Sequence, residues 1–362
     1  LYANRRDAGF APGLDVPHPQ DQYEGDELPL AGTSPTQLVA FADVLGSGSV
    51  QLVRIRHDEV KCWPNLGHGR FGKGFVLCTL PFNSTQFSAE QIRLTDLDGS
   101  GAADLICLTP DTVKVFMNHA GSGYLSTPVE LPWPDGVRYD RFCQVSTVDL
   151  QGIGCASLVL TVPHMTPRHW RYDFVDSKPY LLSTTCNNMG ARTHVTYRSS
   201  AQEWLDEKQE KQSDALSAPV AHLPLTLNLV KHIALIDEIS GTRLTQSYAY
   251  RAGHYDSVER EFRGFGLLLQ TDTEATPSQR VQAGFSAPLL SKTWFHTGIE
   301  IDPPCDGSSV HDPQAVPLNP TLVCTGHPDD KATRLPWAPD EQMAREIARS
   351  LSGRVLRSEL FN

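Results

Sequence analysis

The sequence predicts a mainly β protein, in which a partial β-propeller is followed by a β-rich segment with one or two short helices. Three observations predict this class. An Asp-Gly motif recurs at intervals of 53 residues. The stretches between its copies are short and apolar or alternating, and glycine turns separate them. Helix signals are confined to two stretches, at 201–214 and 338–353.

The repeat is defined by Asp43, Asp96 and Asp149, which lie 53 residues apart. The first two copies keep this register through a second strand, an asparagine and an aromatic residue. The matching pairs are Val60 and Val113, Trp63 and Phe116, Asn65 and Asn118, and Phe71 and Tyr124. Units of this size with several short strands are typical of propeller blades, which must stack on their neighbours.

The start of the chain resembles the end of one more repeat, because Asn4 and Phe10 have the same six-residue spacing. We therefore expect the chain to begin inside a repeat, with further blades before Leu1. The predicted organisation is a repeat tail and loop in 1–36, followed by blades in 37–182.

The second copy of the loop, DLDGSGAAD, has oxygen-bearing side chains at its first, third, fifth and ninth positions. These residues are Asp96, Asp98, Ser100 and Asp104. This is the spacing of a calcium loop, although the long glutamate of stronger sites is missing. The alternative is a turn whose carboxylates accept backbone N–H groups. Both interpretations stay open for the second copy, and the turn is favoured for the first and third, which have lost these oxygens.

The repeat stops near residue 183, and a β-rich segment is predicted over 183–299. ARTHVTYRSS alternates like a half-buried strand, and REFRGFGLLLQTDTE and SKTWFHTGI predict two more. LTLNLVKHIALI and TRLTQSYAYRA flank the turn residues 237–241, which predicts a hairpin.

Two helices and a linker complete the prediction. AQEWLDEKQEKQSD predicts a short helix whose charges form a solvated face. Residues 300–337 are rich in Pro, Gly and Asp and predict a long loop or linker. Residues 338–362 predict a helix and a strand, with Met343, Ile347 and Leu351 on one apolar stripe and Gly353 as the stop.

The motif REFRGFG predicts a structural element and not a phosphate-binding loop. Its residues are Arg260, Glu261, Phe262, Arg263, Gly264, Phe265 and Gly266. A phosphate loop needs its glycines between a strand and a helix N-terminus, whereas a strand follows here. Glycine inside a strand indicates a bulge or a close backbone approach. We expect Arg260 and Arg263 to pair with neighbouring acids.

Composition excludes several classes of function. The net charge of −11 and the pI of about 5.6 argue against nucleic-acid and anionic-membrane partners. His164 and His169 lack a third metal ligand nearby, and no Gly-x-Ser-x-Gly or HExxH motif occurs. The eight cysteines form no CxxC and are expected to be reduced, with a bridge between Cys305 and Cys324 left open.

Several stretches together resemble the B component of insecticidal toxin complexes (TcB). That family includes the SpvB-like virulence-plasmid proteins with Rhs/YD repeats downstream. The stretches are LYANRRDAGFAPGLDVP, CWPNLGHGRFG, LTDLDGSGAADLI, SLVLTVPHMTPRHWRYDF, KPYLL, NNMG, YRSSAQEWLDEK and HYDSVEREFRGFGLLLQTDTE.

The resemblance implies a secreted, non-enzymatic toxin protein, with a cytoplasmic location before release as the alternative. It implies an integrin-like propeller of FG-GAP/VCBS type beside the β-rich wall of a hollow shell. A C component completes that shell and encloses a toxic enzyme, and the propeller docks on a pore-forming A component. Neither nucleic acid nor direct membrane insertion is expected. A calcium-dependent adhesive propeller is the rival hypothesis.

Overall fold

The computed structural model describes residues 1–5, 8–15, 28–85, 87–134, 136–163, 166–212, 220–273, 288–299, 324–325, 335–336 and 340–361. Strands account for 47% and helices for 9% of the structure, which confirms the mainly β class. The chain divides into two compact units, Leu1–Tyr180 and Leu181–Asn362.

The first unit contains one open antiparallel sheet for each copy of the repeat. The first sheet consists of β1 (Gly32–Ser34), β2 (Gln37–Ala42), β3 (Gln51–Ile55), β4 (Glu59–Trp63) and, after the small ladder of β5 (Asn65–Gly67) and β6 (Arg70–Phe71), β7 (Phe75–Thr79). The second consists of β8 (Ile92–Thr95), β9 (Asp104–Leu108), β10 (Thr112–Phe116) and β11 (Val129–Pro132). The third consists of β12 (Gln144–Val148), β13 (Ser157–Val162) and β14 (Arg168–Tyr172).

Consecutive sheets share two hydrophobic cores. The core between the first and second sheets contains Val53, Ile55, Val60, Cys62, Leu105, Cys107 and Phe116. The core between the second and third contains Ile106, Leu108, Val113, Val115, Leu158, Leu160 and Val162. Successive residues of β9 enter different cores because strand side chains alternate between faces. This explains why β9 is apolar at consecutive positions.

The three repeat aspartates make the same turn. In each copy one carboxylate oxygen accepts the N–H four residues later and the other accepts the N–H five residues later. The distances are 3.1 and 2.6 Å for Asp43, 3.1 and 2.9 Å for Asp96, and 3.1 and 2.7 Å for Asp149. The three aspartates therefore occupy equivalent turns in the three repeats.

The turns also connect one repeat to the next through the backbone. The carbonyl of Asp43 accepts the N–H of Ala103 at 2.7 Å, and the carbonyl of Asp96 accepts the N–H of Ala156 at 3.0 Å. In both cases the donor lies 60 residues after the acceptor. Neighbouring sheets are therefore held in one repeated register, which their apolar faces alone would not specify.

The asparagine and the aromatic residue six positions later are bridge partners in each of the three places where this spacing occurs. Asn65 pairs with Phe71 across the β5–β6 ladder. Isolated antiparallel bridges join Asn118 to Tyr124 and Asn4 to Phe10. The six-residue spacing thus marks a conserved turn geometry within the chain.

The second unit is built on one seven-stranded antiparallel sheet. Its strands, in spatial order, are β15 (Thr184–Cys186), β16 (Ala191–Ser199), β17 (Asn228–Asp237), β18 (Arg243–Asp256), β19 (Glu261–Thr273), β20 (Leu289–Phe295) and, after the short ladder of β21 (Cys324–Thr325) and β22 (Leu335–Pro336), β23 (Val355–Phe361). The helices are α1 (Ser200–Gln212) and α2 (Glu341–Leu351). These elements confirm the predicted strands, the hairpin at 237–241 and both helices. The predicted linker at 300–337 lies outside the described residues, apart from β21 and β22.

Helix α2 buries only part of the predicted stripe, since Ile347 and Leu351 are half-buried but Met343 is exposed. Asp340 caps the helix, since its carboxylate accepts the N–H of Met343 at 2.8 Å. Met343 is 43% exposed, whereas Ala348 is fully buried. A Cβ on Gly298 would lie 3.1 Å from the carbonyl of Ala348 and 2.9 Å from Ser352 Cβ. Because Gly298 and Ala348 are small, α2 can approach Gly298 closely at Ala348. In this orientation Met343 faces solvent.

The six cysteines whose side chains the structure describes are free thiols, and Cys107 is buried in the first core as expected. Burial raises the pKa of the Cys107 thiol to about 11. The open question of a Cys305–Cys324 bridge lies outside the described side chains.

The EFRGFG motif forms a β-bulge in β19. Tyr255 is opposite Phe262 and His254 is opposite Gly264, so Arg263 is the extra residue. Gly264 has a φ of 89°, in the left-handed region. A Cβ there would meet no atom within 4 Å, so conformation and not close approach requires the glycine. Gly266 is buried within the strand.

Gly264→Val is expected to lower the free energy of unfolding by ~1 kcal/mol or more, because a β-branched residue is strained at positive φ. Gly264→Asn is expected to lose less stability than Gly264→Val, since asparagine tolerates positive φ better than valine does. Urea denaturation measures both variants against the parent protein. Equal stability of the valine and asparagine variants would contradict a conformational requirement.

Candidate functional site

The second aspartate turn brings three carboxylates together. One oxygen each from Asp96, Asp98 and Asp104 lies within 4.8 Å of the others. Asp104 is fully buried and accepts two backbone N–H groups, from Leu97 at 2.9 Å and from Asn118 at 2.7 Å. The start of β9 therefore places a rigid carboxylate beneath the turn.

Burial disfavours the ionised forms of Asp96 and Asp104. Burial, together with the charges of Asp96 and Asp98, raises the pKa of Asp104 to about 6 even though N–H donors act against it. Burial likewise raises the pKa of Asp96. Burial acts in the same direction on Asp98, but hydrogen bonds from Ser100 and Tyr180 outweigh it and lower its pKa. A bound cation would relieve this repulsion.

The donor set fits a hard cation such as calcium, because it offers only oxygen atoms at loop positions that calcium uses. Ser100 donates its N–H to Asp96 and Asp98, at 3.1 and 2.9 Å. Its hydroxyl is 3.4 Å from the carbonyl oxygen of Ala102. The residues predicted from the spacing thus lie in one loop.

A lysine already places one positive charge beside this loop. Lys178 Nζ donates to the carbonyl oxygens of Gly99 at 2.9 Å and Gly154 at 3.0 Å, in the second and third aspartate turns. Tyr180 donates its hydroxyl to Asp98 at 3.0 Å. The segment after β14 therefore covers the loop, a contact for which the sequence offered no local signal.

Calcium titration should distinguish a metal loop from a plain turn. If the loop binds calcium, calorimetry is expected to give a binding heat for the parent protein and none for Asp98→Ala, because the variant removes one of the three carboxylates. Asp111→Ala, which removes an exposed acid in the next turn, serves as the control and should retain the heat. Identical heats for all three proteins, or no heat for any, would leave the loop as a turn.

The motif residues form a buried ion cluster. Arg263 is 3% exposed in its side chain and lies 2.9 Å from both Asp256 and Glu261. Hydrogen bonding from Arg263 lowers the pKa of Asp256. Arg349 of α2 contacts Glu261 at 3.5 Å. Arg263 thus pairs with acids as expected and ties the bulge to the hairpin end.

The other motif residues also act in packing and turn formation. Phe265 packs edge-on against Phe262, with ring centroids 5.6 Å apart, and lies 5.1 Å from the ring of Tyr250. A Cβ on Gly253 would lie 2.8 Å from the Phe265 ring. Arg260 has a φ of 56° in the hairpin turn.

Two buried carboxylates on α1 were missed, and the prediction that the charges of this helix form a solvated face is wrong for them. Glu203 and Glu207 are 2% and 4% exposed. Glu203 accepts the N–H of Tyr250 and Glu207 accepts the N–H of Ala252, both at 3.1 Å.

This arrangement makes α1 a substitute for a neighbouring strand. The pairing of β18 with β17 ends at Ser247. Beyond this residue, the described part of the chain provides no strand partner for β18 on the side of β17. Helix positions four apart are separated by ~6 Å and strand positions two apart by ~6.7 Å. The two glutamates can therefore receive alternate N–H groups of β18. Their four-residue spacing is a signal that sequence inspection could have used.

Three cations compensate the charge of Glu203. Arg198 and Arg251 each lie 3.0 Å from its carboxylate, and Lys231 lies 3.5 Å away. Arg251 also contacts Glu210 at 2.6 Å. A cavity of about 250 Å³ beside this cluster is lined partly by Trp204. The network fixes the helix on the sheet.

Two histidines of the first unit, His68 and His119, lie at turns. His68 lies between β5 and β6, and its backbone has a φ of 49°, in the left-handed region. His119 begins the turn closed by its N–H and the carbonyl of Gly123 at 2.7 Å. His164 lies outside the described residues. Among those residues, no helix is both long and apolar enough to cross a membrane.

Comparison with protein families supports the resemblance seen in the motifs. Residues 120–298 match the family described as the insecticide toxin TcdB middle/N-terminal region. The comparison with curated proteins found no match.

Solved structures match almost the whole chain. The crystal structure of TcdB2-TccC3 without the hypervariable C-terminal region is 40% identical over 92% of this chain and 16% of that chain, with a TM-score of 0.80. The Photorhabdus luminescens Tc holotoxin pore is 40% identical over 100% of this chain and 16% of that chain, with a TM-score of 0.85. The crystal structure of TcdB2-TccC3 is 39% identical over 91% and 16%, with a TM-score of 0.78. The chain thus spans about 16% of the length of the chains it matches.

Proposed function

Because this chain is a fragment of a B-type component of insecticidal toxin complexes, we propose that it is a structural, non-enzymatic part of a toxin-delivery assembly. The observation that carries this proposal is the match to the Tc holotoxin pore, 40% identical over the full chain with a TM-score of 0.85. Both units are included in that match, so the proposal concerns the whole chain.

The first unit is proposed to supply consecutive blades of a β-propeller. The equivalent aspartate turns and the two shared cores support this assignment. So does the 60-residue register of the hydrogen bonds between repeats. Each sheet is a short antiparallel meander that cannot bury both faces alone, as is typical of blades. Other blades would come from outside these residues.

The second unit is proposed to form part of a shell wall. Its long strands run up to 14 residues, in β18. The α1 carboxylates hold the middle of β18, and the bulge cluster holds the ends of β18 and β19 that meet at the hairpin turn. A long sheet held by such contacts is suited to forming a wall.

The proposed partners are a C component that completes the shell and a pore-forming A component that receives the propeller. Support comes from the relatives, which are structures of TcdB2 with TccC3 and of a Tc holotoxin pore. A secreted location follows from the same proposal. The net charge of −11 agrees with a protein partner better than with nucleic acid.

Replacing the propeller loops around His68, His119 and His164 with short glycine-serine turns is expected to abolish docking of the intact B component on the A component. Loops at the ends of a propeller offer several contact points to a protein partner. Pull-down and particle imaging measure the loss. Replacing the exposed 237–241 turn of the second unit is the control, and it should leave docking intact.

Two results would count against the structural role. Docking and toxin delivery that survive replacement of all three loops would exclude them as the contact surface. Turnover of a substrate by the purified chain would exclude the non-enzymatic assignment. Calcium-dependent binding to a glycan or cell surface would instead favour the adhesive propeller, for which the Asp96 loop is the supporting observation.

A further inference from the structure

Among the described residues, the sheet of the third repeat has three strands and does not include the outer strand found in the first two repeats. In the first sheet β7 pairs with β4, and in the second β11 pairs with β10. The equivalent third strand is β14, which within the described part of the chain pairs with β13 alone. The outer edge of β14 therefore presents backbone N–H and C=O groups without a strand partner.

The chain segment expected to form this outer strand pairs in another sheet. β15 begins 55 residues after β11 begins, close to the repeat length. It pairs with β16 in the sheet of the second unit and not with β14. The segment at the repeat spacing after β11 therefore does not occupy the position beside β14, because it belongs to the sheet of the second unit.

The side chains of β14 are basic and aromatic. Arg168 and Arg171 are exposed. The Arg168 guanidinium lies 5.1 Å from the ring of Trp170, and Arg171 already lies 2.8 Å from Asp173, just after the strand. In the second repeat, the third strand pairs through Lys114 with Glu130 of the fourth strand, directly opposite and 2.9 Å away. A strand that carries acidic residues opposite the arginines would make the same kind of contact.

We propose that an extended strand from another part of the same polypeptide, outside residues 1–362, pairs with the outer edge of β14 and places an acidic side chain near Arg168 or Arg171. The same polypeptide is the source because it supplies the fourth strand in both other repeats. The matched chains are also much longer, since this chain spans about 16% of them. The inference rests on the equivalence of the repeats and not on docking to a partner.

Hydrogen–deuterium exchange with single-amide resolution on the full-length B component tests this proposal. Consecutive amides of β14 are expected to be protected in the B component alone, because a strand on each side uses both sets of N–H groups. The double variant Arg168→Glu/Arg171→Glu should speed exchange of the outward amides by roughly tenfold, which corresponds to about 1.4 kcal/mol. Amides facing β13 should stay protected, which shows that the variant is folded.

Arg138→Glu is the matched control, since it disrupts a comparable surface ion pair with Asp111, 3.4 Å long in the second repeat. It should leave β14 exchange unchanged. Alternating fast and slow amides in the parent B component would overturn the proposal. Protection that appears only at high protein concentration or after adding the C or A component would also overturn it, because the strand would then come from another molecule.

Discussion

Glu203→Ala is expected to lower the free energy of unfolding of the second unit by ~3–5 kcal/mol, the usual cost of removing one member of a buried ion network. Glu203 is 2% exposed and compensates three cations. Its loss also leaves the N–H of Tyr250 without its acceptor, which adds a desolvation cost. Urea denaturation followed by tryptophan fluorescence measures the change.

Glu210→Ala is the matched control on the same helix. Glu210 binds Arg251 but its side chain is 60% exposed, so its removal should cost less than ~1 kcal/mol. Glu203→Gln should fall between the two, since it keeps an acceptor for the backbone and loses the charge. Similar stabilities for Glu203→Ala and Glu210→Ala would refute the role of α1 as a substitute strand.

Asn118→Ala is expected to lower the stability of the first unit by about 3 kcal/mol, because it leaves buried backbone groups without partners. The Asn118 amide donates to the carbonyls of Val44 at 2.9 Å and Ala103 at 3.1 Å. It also accepts the N–H of Gly121 at 2.8 Å. One side chain therefore joins two repeats.

Asn65→Ala provides the comparison, since Asn65 is the same residue one repeat earlier. Asn65 donates to Val50, the equivalent of Ala103, at 2.9 Å and accepts the N–H of Gly67 at 2.8 Å, and both bonds are exposed and lie within its own repeat. Its replacement should cost less than ~1 kcal/mol because water can take over both bonds. Equal losses for the two variants would show that the contact between repeats contributes nothing.

The Glu203 and Asn118 predictions concern stability. They matter for the proposed function because a structural component must stay folded to assemble. A scaffold acts by keeping its surfaces in place, so variants that loosen either unit should impair assembly without touching a partner. Replacing the docking loops while keeping Asn118 and its bond to the residue at 121 should instead impair assembly at unchanged stability. Comparing both kinds of variant separates a folding defect from a lost contact.

The features that the sequence predicted correctly depend on neighbours along the chain. Asp43, Asp96 and Asp149 accept N–H groups four and five residues later, so the motif alone determines the turn. Alternating or continuous apolar runs determined the strands in the same way. Gly264 indicated the bulge because few other residues adopt its backbone conformation.

What the sequence could not determine depends on groups far away along the chain. Glu203 is buried because the N–H of Tyr250, 47 residues later, needs an acceptor where its strand has no partner. Lys178 reaches Gly99, 79 residues earlier, only when the repeats are stacked. Met343 is exposed because its helix approaches Gly298 most closely at Ala348 and not at Met343. A local pattern shows which residues are polar, but only the tertiary structure decides which polar groups find a buried partner.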